Sequence, residues 1–126
     1  MTLSREALLT PAAVPVEEVP IAALGGSVKV RGMTARQRSE FEKSFQTSSG
    51  KPNKRKQGQM RERMCVACCV DDDGQALFTE DDIDALGRQR ADIVEPIVNV
   101  AMRLCGMTQE DVEQLEGNSD GTDEGS

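Results

Sequence analysis

Ala91-Asp92-Ile93-Val94-Glu95-Pro96-Ile97-Val98-Asn99-Val100-Ala101-Met102-Arg103-Leu104-Cys105-Gly106 is the segment on which the reading of this 126-residue chain turns. Val94, Ile97, Val98, Ala101 and Cys105 recur at helical spacing, and Ile93, Val100 and Leu104 lie beside them. The period predicts a helix from about Ala91 to Leu104. Its apolar face is wider than a simple surface helix needs, so it is either the central core element or a core element with surface left for a partner. Pro96 falls within or just after the first turn, where a missing amide costs less than at mid-helix. Gly106 is the expected left-handed cap.

Three threonines mark further helix starts. Thr34, with Gln37 three residues on, forms the reciprocal pattern of a capping box, and Phe41 and Phe45 then share one face with Arg38 a turn earlier. That helix should fade near Gln46. Thr79 with Asp82 opens another, with an acidic first turn that suits the helix dipole and Gly87 as its end. Thr108 with Asp111 opens a short last one to Glu116. Between these, Met60 to Val70 reads as a helix that begins amphipathic and turns apolar on nearly every side, the pattern of deep burial. Asp71-Asp72-Asp73-Gly74 follows as a sharp turn.

Upstream, the pattern changes to one of strands. Val16, Val19 and Ile21 precede Gly25-Gly26, and Val28 and Val30 alternate with Ser27, Lys29 and Arg31. This predicts a β-hairpin with one covered face, and Pro20, lacking an amide, belongs on an edge strand. The fold class is therefore α+β, mainly α: an N-terminal hairpin over 16–32, then four to five short helices bundled within 34–116. Residues 1–15 read as a flexible arm with one helical turn near Ser4 to Leu9. Residues 46–59, rich in Gly, Ser, Pro and Lys, read as a mobile basic loop, and 117–126 as a disordered acidic tail.

Composition narrows the function. Hydrophobic residues make up 37% of the chain, and Phe41, Phe45 and Phe78 are its only aromatics, so the core is lean and a partner or further copies of the chain would add stability. The chain has no His, which removes the usual general base at neutral pH and the commonest metal ligand. No phosphate loop, nucleophile elbow or carboxylate pair replaces it, so a binding protein without catalysis or cofactor is expected. Net charge is −7, unevenly spread. Residues 51–64 hold six Lys/Arg against one Asp/Glu, whereas 65–126 hold three against sixteen. Such an acidic half repels nucleic acid and anionic membrane. Lys51, Lys54, Arg55 and Lys56 could meet RNA or DNA phosphates, but no interleaved aromatics offer base stacking.

Two motifs invite metals and fall short. Cys65-Val66-Ala67-Cys68 has the spacing of half a zinc site, yet Cys105 is the only distant thiol and no His completes the set, so buried small hydrophobes explain the cysteines better. With no secretory signal or apolar run of membrane-spanning length, the four cysteines are expected as reduced thiols in a cytosol. Asp71-Asp72-Asp73-Gly74 fits a calcium loop only if Cys69 takes the first ligand position, where a thiol is a poor donor for a hard cation.

The order of segments carries a family resemblance. Leu3-Ser4-Arg5-Glu6 leads to Gly25-Gly26-Ser27-Val28-Lys29-Val30-Arg31, then to Met33-Thr34-Ala35-Arg36-Gln37-Arg38 with Phe41-Glu42. Arg63 through Val70, Asp73-Gly74, Leu77-Phe78-Thr79, Ile83 to Gly87 and Ala101 to Gly106 follow. Over residues 3–116 this succession resembles the tail assembly chaperones of long-tailed bacteriophages and prophages. The basic loop at 50–59 and the triple cysteine depart from that pattern. The resemblance implies a non-enzymatic factor in the host bacterial cytoplasm that binds the helical tape measure protein before the tail tube polymerises. It also implies a longer, frameshifted form that contacts the tail tube protein, and absence from the finished virion. An amphipathic client helix would lie in an apolar groove, for which Ile97, Val98, Ala101, Met102 and Met107 are the candidate residues. The competing readings are a small nucleic-acid-binding regulator using 51–56 and a minor virion tail component.

Overall fold

The computed structural model describes residues 1–117. Residues 118–126, most of the expected acidic tail, lie outside the described residues. The architecture is α+β and mainly helical. Strands β1 (Val16–Ile21) and β2 (Gly26–Arg31) pair antiparallel with Val19 opposite Val28 and Pro20 opposite Ser27. A short 3-10 turn, Ala22–Leu24, joins them, and Gly25 closes it at φ 70°, a backbone angle that glycine adopts without strain. Val19, Ile21 and Val30 are buried on one face, while Glu18, Pro20 and Ser27 on the other meet solvent. β1 is the edge strand, as Pro20 requires.

A third strand was not expected. The helix read over Met60 to Val70 stops at Cys68 (α4, Met60–Cys68), and Cys69–Val70 forms β3, paired antiparallel with Lys29 and Val30. The inner edge of β2 offers unpaired backbone groups. Satisfying them outweighs the intrinsic preference of two residues at a helix end. The acidic turn then folds back: Asp71 Oδ1 accepts from the Asp73 and Gln75 amides, and the Leu77 amide donates to the Cys69 carbonyl at 3.0 Å.

Helices α1 (Arg5–Leu9) and α2 (Ala35–Lys43) start at Ser4 and Thr34, whose hydroxyls accept from amides three residues on. α2 is shorter than expected. Beyond it, tighter i→i−3 bonds carry the chain to Gln46 and bury Phe45, whose ring meets Phe41 edge-on at 5.1 Å. The basic segment contains more structure than the loop reading assigned. Gln46 and Pro52 bridge across a turn at Gly50, and Asn53 caps a one-turn helix, α3 (Lys54–Gln57). The helices within 34–116 therefore number six, one more than the upper expectation.

The remaining elements follow their signals. Thr79 makes a capping box with Asp82 ahead of a 3-10 turn and α5 (Ile83–Gly87). α6 spans Ala91–Leu104 and α7 spans Gln109–Leu115, the latter boxed by Thr108 and Asp111. Between them, the Gly106 amide donates to the Arg103 carbonyl and the Met107 amide to that of Met102. With Gly106 at φ 71°, these form the paired bonds of a Schellman cap. Pro96 sits inside α6, and the Asp92 carbonyl that its missing amide would have bonded belongs to an exposed residue within reach of water. α6 packs on α4 and on both hairpin strands, so one hydrophobic cluster joins the sheet to the helices. Each Val or Ile it buries contributes about 1.5–3 kcal/mol of transfer free energy.

Candidate partner-binding cleft

Burial separates the candidate groove residues. Val98 and Ala101 are sealed at 2% and 0% exposure, and Met107 is buried beneath the Schellman cap. Met102 is half-buried against the cluster. Ile97 alone of the five reaches an open depression. The structure therefore does not gather these residues into one groove. Positions 97, 98, 101 and 102 span two adjacent helix faces, and α4 covers one of them.

The apolar opening lies at the other end of α6. Four separate segments build a cleft of about 520 Å³. Ile93, Val94 and Ile97 of α6 form the floor, together with Leu86 of α5. Ile21 and Val28 of the hairpin form one wall, with Leu24 at its tip. Leu77 and Phe78, which follow the acidic turn, form the opposite wall. Leu24 is 65% exposed and Leu77 is 45% exposed, held outward by the Gly25 turn and by the Leu77–Cys69 backbone bond. Asp82 stands on the rim, and Glu80, Asp81 and Asp84 continue the acidic surface beside it. A concave apolar surface with a charged margin can take an apolar side-chain row and steer its flanks.

A second depression, about 580 Å³, lies between α2 and α7 and has a different chemistry. Arg36, Glu40, Glu42, Lys43 and Asp111 line it, so charged groups facing one another fill its walls. Beside it Arg38 makes a junction that its sequence position did not signal. Its guanidinium bonds Glu42 Oε2 and Asp111 Oδ2 at 3.1 Å each and the Gly106 carbonyl at 3.1 Å. It thereby holds α2 to the end of α6 and the start of α7. Hydrogen bonds from the Thr108 backbone and side chain, reinforced by Arg38, draw the Asp111 carboxyl below its ordinary range.

All four cysteines are free and buried, consistent with the small-hydrophobe reading. Cys105, distant in sequence, comes within 3.8 Å of Cys68, sulfur to sulfur. The hydrogen bond to Cys105 and burial push the Cys68 thiol well up, and the bond to Cys69 with burial does the same for Cys65. Both therefore remain neutral thiols. Among the described residues no three His, Cys, Asp or Glu are grouped to hold a metal ion. Nor is any helix there long and apolar enough to cross a membrane.

The basic segment does not present a uniform cationic face. Lys51, Lys54 and Arg55 are exposed, but Arg55 shares a depression with Glu80, Asp81 and Asp84, whose carboxylates offset its attraction for phosphate. Arg63, to which the sequence assigns no role of its own, is 8% exposed and bonds Gln59 Oε1 and Glu80 Oε2, linking α4 to the start of α5. No protein-family model, curated protein or solved structure matches the chain.

Proposed function

We propose that this chain is a tail assembly chaperone of a long-tailed phage or prophage, and that its cleft binds an amphipathic helix of the tape measure protein in the host cytoplasm. Binding keeps the client's apolar face from aggregating until the tail tube protein polymerises around it. The chaperone then leaves, and a longer frameshifted form recruits the tube subunit. Catalysis plays no part in this reading.

One observation carries the proposal on the structural side: an open apolar cleft with Leu24 and Leu77 exposed on its lips. A helix presenting residues at i, i+3, i+4 and i+7 would place an apolar row between them. The acidic margin at Asp82 favours a client with Lys or Arg beside that row. The ordered segment resemblance over residues 3–116 supplies the identity of the client.

Coexpression with tape measure fragments provides the test. Wild-type protein should retain a helical fragment on an affinity column. Leu24→Asp and Leu77→Asp should each weaken retention roughly 10- to 100-fold, the range of an interface anchor. Equal retention by both variants would remove the cleft as the binding site. Mass spectrometry of purified particles should find no chaperone, and its presence there would make the chain a virion component instead.

A further inference from the structure

The cleft is not the only place where leucine stands in solvent. In the N-terminal arm, Leu3, Leu8 and Leu9 are 63%, 70% and 61% exposed, and α1 buries no residue. A five-residue helix has little stability of its own in water, because helices below about 12–15 residues are marginal even in favourable sequences. An apolar element without a surface and an apolar surface without a cover thus occur in the same chain. We propose that they belong together across two copies: the arm of one protomer lies in the cleft of its partner, and the exchange is reciprocal.

Chain geometry favours the second copy over the chain's own arm. The arm is anchored where the Gly32 amide donates to the Pro15 carbonyl at 2.9 Å, beside the end of α6. Ile21, at the cleft, lies at the far end of β1. To reach its own cleft the chain between Leu9 and Val16 must double back along the strand. It spans at most ~24 Å at full extension, of which retracing β1 consumes ~17 Å. An arm arriving from another protomer meets no such demand. Pairing of two β1 edges is a weaker alternative, since Pro20 interrupts the edge. Arg5, one turn before Leu9, also suits the Asp82 rim. The proposal needs the cleft but not its client. An exchanged arm would hold the site closed until a longer helix displaced it.

Sedimentation equilibrium of the full chain, with no other protein present, tests this directly. Wild-type protein should show a concentration-dependent dimer. Leu8→Asp with Leu9→Asp should weaken dimerisation roughly 100-fold or more, as should Leu77→Asp. All three side chains are exposed, so the variants should keep the wild-type circular dichroism of the folded body, and their melting should match wild type at concentrations where wild type is monomeric. Mixing the arm variant with the cleft variant should restore a heterodimer through the one arm–cleft pair left intact. A monomer at every concentration would overturn the proposal, and so would a dimer indifferent to both variants. Failure here leaves the tape measure reading standing. That reading falls instead if no tape measure fragment is retained by the wild-type chain.

Discussion

The two halves of α6 carry similar apolar residues and meet different fates. In the C-terminal half, Val98 and Ala101 are enclosed at 2% and 0% exposure, in the cluster that also holds Met64, Cys65 and Cys68 of α4. In the N-terminal half, Ile93, Val94 and Ile97 are nearly as buried, at 6–7%, yet they floor a cleft whose lips lie open. Low exposure of a residue therefore does not show whether its surroundings are finished. The neighbours decide it: the C-terminal half lies among buried side chains, while the hairpin, α5 and the segment after the acidic turn approach the other half without meeting over it.

This contrast predicts a graded response to substitution. The largest effect belongs to the sealed half, where Met64→Ala removes a side chain with no exposure and should destabilise the fold by about 2–5 kcal/mol in urea or guanidinium unfolding. Gly32→Ala comes next. A Cβ there would stand 2.6 Å from the Leu104 carbonyl oxygen and 3.3 Å from Pro15 Cδ, so backbone must move, at about 1–3 kcal/mol. A loss under ~0.5 kcal/mol at either position would show the sealed half to be as unfinished as the open one.

Charge reinforces the sealed half more gently. The Asp111 carboxyl is held below its ordinary value first by the Thr108 hydrogen bonds and then by Arg38. Because the folded value is the lower one, its stabilisation is complete above the unfolded value near ~4 and fades as pH falls through the folded value. Asp111→Asn should therefore lower the melting temperature at neutral pH and flatten its decline in acid. An unaltered acid profile would mean that Asp111 contributes nothing. The smallest effect on stability belongs to the open half. Leu77→Asp should shift unfolding by no more than ~0.5 kcal/mol while weakening cleft binding, and a larger shift would place Leu77 in the core.

Local signals in the sequence were largely sufficient for the elements. The Thr34, Thr79 and Thr108 boxes, the Gly25 turn, the Gly106 cap and the span of α6 each depend on residues within a few positions of one another, and each is present. What was illegible is non-local. Cys69–Val70 becomes a strand because β2 has a free edge some forty residues earlier in the chain. Arg38 becomes a junction because the ends of α6 and α7 arrive beside it. The cleft requires the hairpin, the post-turn leucine and α6 together, so periodicity within α6 could nominate Ile97 but could not separate it from Val98 or Ala101.

The anchoring of the arm has a mechanical consequence. It joins the body at the Val16 end of an edge strand, so tension on the arm loads the hairpin one rung at a time. The Gly32–Pro15 bond would break first and the Val16–Arg31 pair next, in the manner of a zipper opened from its end. Such a joint resists little force compared with one sheared along its length. The unzipping would halt at Val19 and Ile21, which are buried against the helices, so only the first rungs yield easily.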